Sequence, residues 1–138
     1  MSDPQDRNAK IIEEFRANDG RVGGPFAGAP LLLLSTTGAR SGKARINPLM
    51  YLPDGDRLVV FASKGGAPTN PDWFHNLVAD PHATVEVGTE RFRVRAAEAT
   101  GEERDRLFAE QAGRYGQFAT YQTNTDRTIP VIVLEREG

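Results

Sequence analysis

The run Leu31-Leu32-Leu33-Leu34-Ser35-Thr36-Thr37-Gly38-Ala39-Arg40-Ser41-Gly42-Lys43-Ala44-Arg45-Ile46 sets an apolar segment directly against a basic, glycine-rich turn. The four leucines are too few, and too closely flanked by Gly and Pro, for a helix, so they predict a buried strand. Ile46 to Leu52 reads as a second strand with Pro48 at an edge or a bulge, where its missing N–H does least harm. Pro53-Asp54-Gly55-Asp56 is a hairpin turn, and Leu58-Val59-Val60-Phe61 follows as a third strand, predicting an antiparallel meander. A second turn, Ala62-Ser63-Lys64-Gly65-Gly66, comes next. Glycine lets backbone approach a ligand without a Cβ in the way, and nearby Lys and Arg supply charge. Two such turns at the ends of successive strands form a candidate anion-binding mouth.

Outward from this centre the patterns are shorter. Asn8 to Asn18 predicts an amphipathic helix with Ile11, Ile12 and Phe15 on one face, ended by Asp19-Gly20. A Gly/Pro-rich connector then runs to Pro30. Pro71 to Val78 predicts a short helix with Trp73, Leu77 and Phe74 on an apolar side, stopped by Asp80-Pro81. Thr84 to Val87 and Arg91 to Ala96 alternate around Gly88-Thr89, a hairpin with Val85, Val87, Phe92 and Val94 inward and three arginines on a solvated face. Thr100-Gly101-Glu102-Glu103 reads as a capping box opening a helix that carries Leu107 and Phe108. A polar, aromatic stretch, Arg114 to Arg127, precedes a last strand from Ile129 to Leu134. Six strands with short helices between them predict an α+β domain, a small antiparallel barrel or sandwich; the other arrangement is an open sheet with helices on one face.

The chain has 138 residues, no cysteine and two histidines. Disulfides, thiolate metal sites and cysteine nucleophiles are excluded, as is an all-histidine metal site. No segment approaches the roughly 20 apolar residues of a membrane span, and the N-terminus is not a secretory signal. A net charge of −2 argues against general nucleic-acid affinity. That charge is uneven: Gly38 to Lys64 holds five basic residues (Arg40, Lys43, Arg45, Arg57, Lys64) and two acidic ones, leaving −5 elsewhere. Either the segment is a solvated surface hairpin or it is a compact anion site.

Several enzyme classes fail on spacing. Gly38-x-x-x-Gly42-Lys43 is one residue short of a P-loop, has Ala44 where Ser or Thr would hold magnesium, and leads into a strand. No strand–glycine–helix unit supports a dinucleotide site. Ser63 lies in Ala-Ser-Lys-Gly-Gly, without a nucleophile elbow. His75, beside two aromatics, reads more simply as packing or surface than as a base.

Taken in order, Thr37 to Gly42, Arg45 to Met50, Ala62 to Gly66, Pro71 to Leu77, Tyr115, Tyr121-Gln122 and Thr125-Asp126-Arg127-x-Ile129-Pro130-Val131 resemble the deazaflavin-dependent nitroreductases of actinobacteria. The resemblance spans about Ala29 to Leu134. It implies a six-stranded split β-barrel of the FMN-binding-like type with short flanking helices, residues 1–28 being an N-terminal helix and connector and 29–138 a single domain. It also implies the 8-hydroxy-5-deazaflavin coenzyme F420, whose phosphodiester and oligoglutamate tail form a long anionic arm.

On that resemblance, Ala39, Arg40, Ser41, Lys43 and Arg45 hold the anionic part, with Lys64, Gly65 and Gly66 closing the other side. Ile46, Asn47, Pro48, Leu49 and Met50, with Phe61, Ala62 and Ser63, line the deazaflavin channel. Asp72, Trp73, Phe74, His75 and Asn76 border it, although Trp73 equally fits a core aromatic. Tyr115, Phe118 and Tyr121 map to the acceptor pocket, Phe118 standing where tyrosine is usual. Tyr115, Tyr121 and Ser63 are the candidate donors to the acceptor; the alternative for the aromatics is a lid without a catalytic role. The implied activity is hydride transfer from F420H2 to a quinone, activated alkene or nitroaromatic. An FMN-dependent reductase and a non-catalytic deazaflavin carrier are the alternatives. The expected partners are a small-molecule acceptor and no nucleic acid. The expected location is cytoplasmic; peripheral contact at the inner membrane face and the oligomeric state are both left open.

Overall fold

A computed structural model of the chain describes residues 4–22, 30–39, 42–66 and 69–137. The connector at residues 23–29, and with it the boundary drawn between residues 28 and 29, lies outside the described residues. In chain order the elements are α1 (Pro4–Ala17), β1 (Leu31–Thr37), β2 (Ala44–Met50), β3 (Leu52–Asp54), β4 (Arg57–Phe61), a single 3-10 turn (Lys64–Gly66), α2 (Asp72–Ala79), β5 (His82–Val87), β6 (Glu90–Glu98), α3 (Gly101–Arg114), α4 (Gln117–Thr123) and β7 (Val131–Arg136).

Seven strands form one antiparallel sheet in the order β2-β1-β5-β6-β7-β4-β3. The six strands expected become seven because the run Ile46 to Leu52 breaks at Tyr51. Its first part pairs with β1, with Leu33 opposite Pro48, and its last residue begins β3, which pairs with β4. β2 and β3 are therefore the two edges of the sheet, joined by one residue. A sheet whose opposite edges meet at a single residue must curl round, so the break at Tyr51 is where the split barrel closes. The expected meander is corrected accordingly: β1–β2 and β3–β4 are two hairpins on opposite flanks. Pro48 lies on an edge strand, as its missing N–H requires.

Side chains alternate between barrel interior and exterior. Leu32, Leu34, Val60, Val85, Val94, Ile132 and Leu134 point inward and pack with Trp73 and Leu77 of α2. Leu31 and Leu33 point outward, under Phe15, Ile11 and Ile12 of α1. Val59, Phe61, Val131 and Val133 also point outward, under Leu107 and Phe108 of α3 and Phe118 of α4. The unbroken apolar runs of β1 and β7 follow, since both faces of these strands are covered. The β5–β6 hairpin has the expected register, Val85 opposite Phe92 and Ala83 opposite Val94, with Arg91, Arg93 and Arg95 exposed.

Two local expectations differ from what forms. Thr100 precedes α3 in an extended conformation but its side chain makes no cap hydrogen bond. Gly101, the first helical residue, has φ +58, so the entry lacks the right-handed first turn that a capping box needs. Within the polar, aromatic stretch, residues 117–123 form α4, a helix too short for periodicity to reveal.

Helix α1 is tied to the sheet by Arg16, whose Nε and Nη2 donate to the two carboxylate oxygens of Glu86 at 3.1 and 2.8 Å. That hydrogen bond holds the Glu86 carboxyl below the usual carboxylate range. A lowered folded pKa contributes stability above the unfolded value, roughly 4.3, which is lost as pH falls through the folded value. The stability difference between the wild type and Glu86→Gln should thus be present at neutral pH and vanish in acid. Thermal melts between about pH 7 and pH 3 check it; a pH-independent difference would assign the effect to packing.

Candidate active site

Antiparallel pairing alternates strand direction at each step. Passing from β1 through β5, β6 and β7 to β4 takes four such steps, so β1 and β4 run the same way. Their C-terminal ends lie on one rim, and both glycine turns follow from those ends. Helix α2 begins just after the second turn and reaches across to the first.

The first turn is closed by backbone bonds, Gly38 N–H to Lys43 O at 2.7 Å and Gly42 N–H to Gly38 O at 2.9 Å, with Gly42 at φ +70. Asn76 of α2 fastens it. Its Nδ2 donates to Thr36 Oγ1 at 3.0 Å, and its Oδ1 accepts from Ala39 N–H at 2.9 Å. Asn76 is 6% exposed, so it braces the turn from within, and the Ala39 N–H is already engaged. Lys43 and Arg45 are exposed, while Arg40 and Ser41 lie outside the described residues. Asn76→Ala would leave the Thr36 hydroxyl and the Ala39 N–H without this partner. Cofactor affinity should fall about threefold to tenfold, read by titration beside a melting curve.

The second turn places Lys64 at φ +46 and Gly66 at φ +83. Lys64 Nζ reaches Thr69 Oγ1 at 3.4 Å and otherwise faces solvent. A Cβ on Gly66 would stand 2.9 Å from the carbonyl oxygen of Tyr121 and 3.2 Å from its Cα. The turn therefore packs directly against α4, and Gly66 is required by that approach as well as by its backbone angle. Arg127 braces the turn from behind. Its Nη1 donates to Ala62 O at 3.0 Å and Asn70 Oδ1 at 2.7 Å, and its Nη2 to Ser63 O at 2.8 Å. Burial pulls the Arg127 guanidinium below its ordinary value, which still leaves it charged at neutral pH.

Helix α4 lies over the Phe61 end of β4. Phe118 is 5% exposed and meets Phe61 and Tyr121 edge to face, at centroid distances of 5.7 and 5.4 Å. Phe118 is thus a core aromatic, while Tyr115 and Tyr121 stay half-buried beside it with Met50. Gln122 anchors the helix. Its Oε1 accepts from Arg104 Nη2 and Ile129 N–H, both at 3.0 Å, and its Nε2 donates to Arg127 O at 2.8 Å.

The remaining expected residues divide by depth. Ile46, Asn47, Pro48, Leu49 and Met50 are half-buried along edge strand β2, whereas Phe61, Ala62 and Ser63 are buried. Trp73 is 4% exposed in the barrel core, Phe74 is half-buried, and Asp72 and His75 are exposed. Arg57 does not join the anion mouth. It pairs with Asp54 across the turn of the β3–β4 hairpin and with Glu103 at 3.7 Å. The excess positive charge near the turns therefore rests on Lys43, Arg45 and Lys64 among the described residues.

Sequence reasoning missed the bracing roles of Asn76, Arg127 and Gln122, because their partners are distant in the chain. It also passed over Tyr51, which sits at the barrel closure with its phenol pushed up by burial. A polar residue inside an otherwise motif-like run, such as Arg127 before Ile129-Pro130, was the one available signal.

A split barrel with two glycine turns on one rim and an aromatic helix against them defines a cofactor-binding barrel. A family model described as F420H(2)-dependent quinone reductase matches residues 8–136, and the chain belongs to that family. It is an F420-dependent oxidoreductase. An F420H(2)-dependent quinone reductase of Mycobacterium tuberculosis is 43% identical over 129 residues, 88% of this chain and 85% of its own length. A solved F420-H2 dependent reductase, FDR-A, has a TM-score of 0.71 at 41% identity, covering 77% of this chain and 94% of that one. A second solved structure, described as a domain-swapped dimer, is 37% identical with a TM-score of 0.73, covering 96% and 100% respectively.

Proposed function

We propose that the acceptor of this oxidoreductase is a quinone, with activated alkenes and nitroaromatics belonging to the same electrophilic class. The observation that carries the reading is the contact between the Lys64–Gly66 turn and the Tyr121 backbone, which sets a cationic turn beside a half-buried tyrosine. The donor set suits the coenzyme. Arg45 and Lys64 are exposed and make no ion pair among the described residues, so they are available to an anionic arm. When bound, the reduced deazaflavin supplies a hydride, since carbon replaces the flavin N5.

The chain's own residues hold and orient. Lys43, Arg45 and Lys64 bind the anionic arm through charge-assisted hydrogen bonds. Pro48, Leu49 and Met50 supply an apolar wall. The hydroxyls of Tyr115 and Tyr121 orient the acceptor oxygen and donate as negative charge develops there. Ser63 is a further donor to the acceptor, set on the turn after β4. Peripheral membrane contact is no part of this reading, because Ile11, Ile12 and Phe15 of α1 are spent on Leu31 and Leu33. No helix among the described residues is long and apolar enough to cross a membrane.

An anaerobic assay of F420H2 oxidation with menadione, a nitroimidazole and a cyclic enone tests the reading. Menadione should be turned over, and Tyr115→Phe or Tyr121→Phe should lower kcat by up to about tenfold with F420 affinity nearly unchanged. Full activity of both variants with every acceptor would reduce the aromatic segment to a lid. Tight F420 binding with no turnover would make the protein a carrier. Added salt should weaken F420 binding by screening the exposed cations, and FMN, with its shorter anionic arm, should bind less well. Equal fluorescence-titration affinities for the two would sink the assignment.

A further inference from the structure

The two sides of the site are joined by a continuous set of hydrogen bonds that runs through Arg127. The carbonyls of Ala62 and Ser63 converge on its guanidinium at 3.0 and 2.8 Å, with Asn70 Oδ1 at 2.7 Å. The Arg127 carbonyl in turn accepts from Gln122 Nε2 at 2.8 Å, and Gln122 lies next to Tyr121 on α4. Adjacent carbonyl dipoles aimed at one point repel unless a cation stands between them. A planar guanidinium meets several acceptors at fixed angles, which an ammonium cannot match. Arg104 holds the far side of Gln122 at 3.0 Å and Ile129 O at 2.9 Å, so Gln122 cannot follow a displaced Arg127 without breaking a second bond.

We propose that Arg127 is the positioning residue of this site: it sets the Ser63–Gly66 turn from behind and, through Gln122, fixes where α4 presents Tyr121 to the cofactor side. The proposal rests on the reading of the Lys64 turn as cofactor-binding and adds the residue that ties this turn to the acceptor helix. Changes in Arg127 should therefore reach both cofactor affinity and turnover, through the Ala62 and Ser63 carbonyls on one side and Gln122 on the other. Changes in Gln122 should reach the acceptor side alone.

The test compares Arg127→Lys, Asn70→Ala and Gln122→Met with Lys64→Ala. F420 affinity is read by fluorescence, kcat and KM with menadione, and stability by melting. Arg127→Lys should weaken F420 binding about tenfold and lower kcat, the retained charge failing to rescue. Gln122→Met should keep F420 affinity within about twofold while lowering kcat or raising the menadione KM about fivefold. If Arg127→Lys does not fold, Asn70→Ala, which removes one acceptor and keeps the arginine, should show the same direction at about threefold. Variants with a lower Tm but wild-type affinity, kcat and KM well below that Tm would overturn the proposal, leaving Arg127 a merely structural brace. If Lys64→Ala weakens binding while the Arg127 and Asn70 variants do not, the turn binds cofactor but is not set by Arg127. If Lys64→Ala binds F420 normally, the cofactor-turn reading falls and this inference falls with it.

Discussion

Replacing Arg45 and Lys64 together by alanine is expected to weaken F420 binding by about two orders of magnitude or more, with the fold intact. Each side chain is exposed and outside any ion pair among the described residues, so its removal breaks no internal charge pairing. A hydrogen bond to a charged group contributes roughly 1.5–3 kcal/mol, and 1.4 kcal/mol is tenfold in affinity. Each single variant should therefore lose about tenfold or more. The two residues sit on different elements, strand β2 carrying Arg45 and the 3-10 turn Lys64, so their losses should be close to additive. Fluorescence titration at low and moderate salt measures it, with circular dichroism as the fold control. The salt dependence should itself shrink in the double variant, because fewer cations remain to be screened. Normal binding by both single variants would move the anion site elsewhere.

Gly66→Ala is expected to destabilise the protein by about 2–5 kcal/mol and to disturb both sides of the site. The left-handed φ of +83 strains any L-residue by roughly 1–2 kcal/mol. The added Cβ would also press on the Tyr121 carbonyl at 2.9 Å, a backbone atom that moves only with α4. Steric overlap of that kind typically adds about 1–3 kcal/mol. Shifting α4 moves Tyr121, so kcat should fall along with cofactor affinity. Gly42→Ala provides the contrast: its φ is +70 but nothing lies within 4 Å of its Cβ position, so only the backbone strain applies. Denaturant melts of the two variants separate the terms. Equal losses would show that the contact with α4 carries no weight.

Strand positions and the hairpins around Gly55 and Gly88 were legible because alternation and turn chemistry act over a few residues. The leucines of β1 betrayed a strand buried on both faces, although not what covers each face. Helix α4 was not legible: at residues 117–123 it is shorter than two full turns, and its existence depends on Phe118 packing against Phe61. The capping box at Thr100 was legible and misleading, since Gly101 enters the helix left-handed. For the site, the cations and glycines could be found by composition, but the segment's charge count included Arg57, which Asp54, three residues away, holds on another hairpin.

By itself the sequence determined which segments are strands, which faces are apolar, where the chain must turn, and that two cationic glycine turns follow apolar strands. These are consequences of local sterics and of hydrophobic period. Only the tertiary structure decided that Tyr51 splits one run into the two edges of a closed sheet, and that both turns share a rim. It alone brought Asn76 to Thr36, 40 residues away, and Arg127 to Ser63, 64 residues away. Such pairings satisfy buried carbonyls and hydroxyls with whatever donor the packed strands bring near, and no periodicity along the chain records which donor that will be.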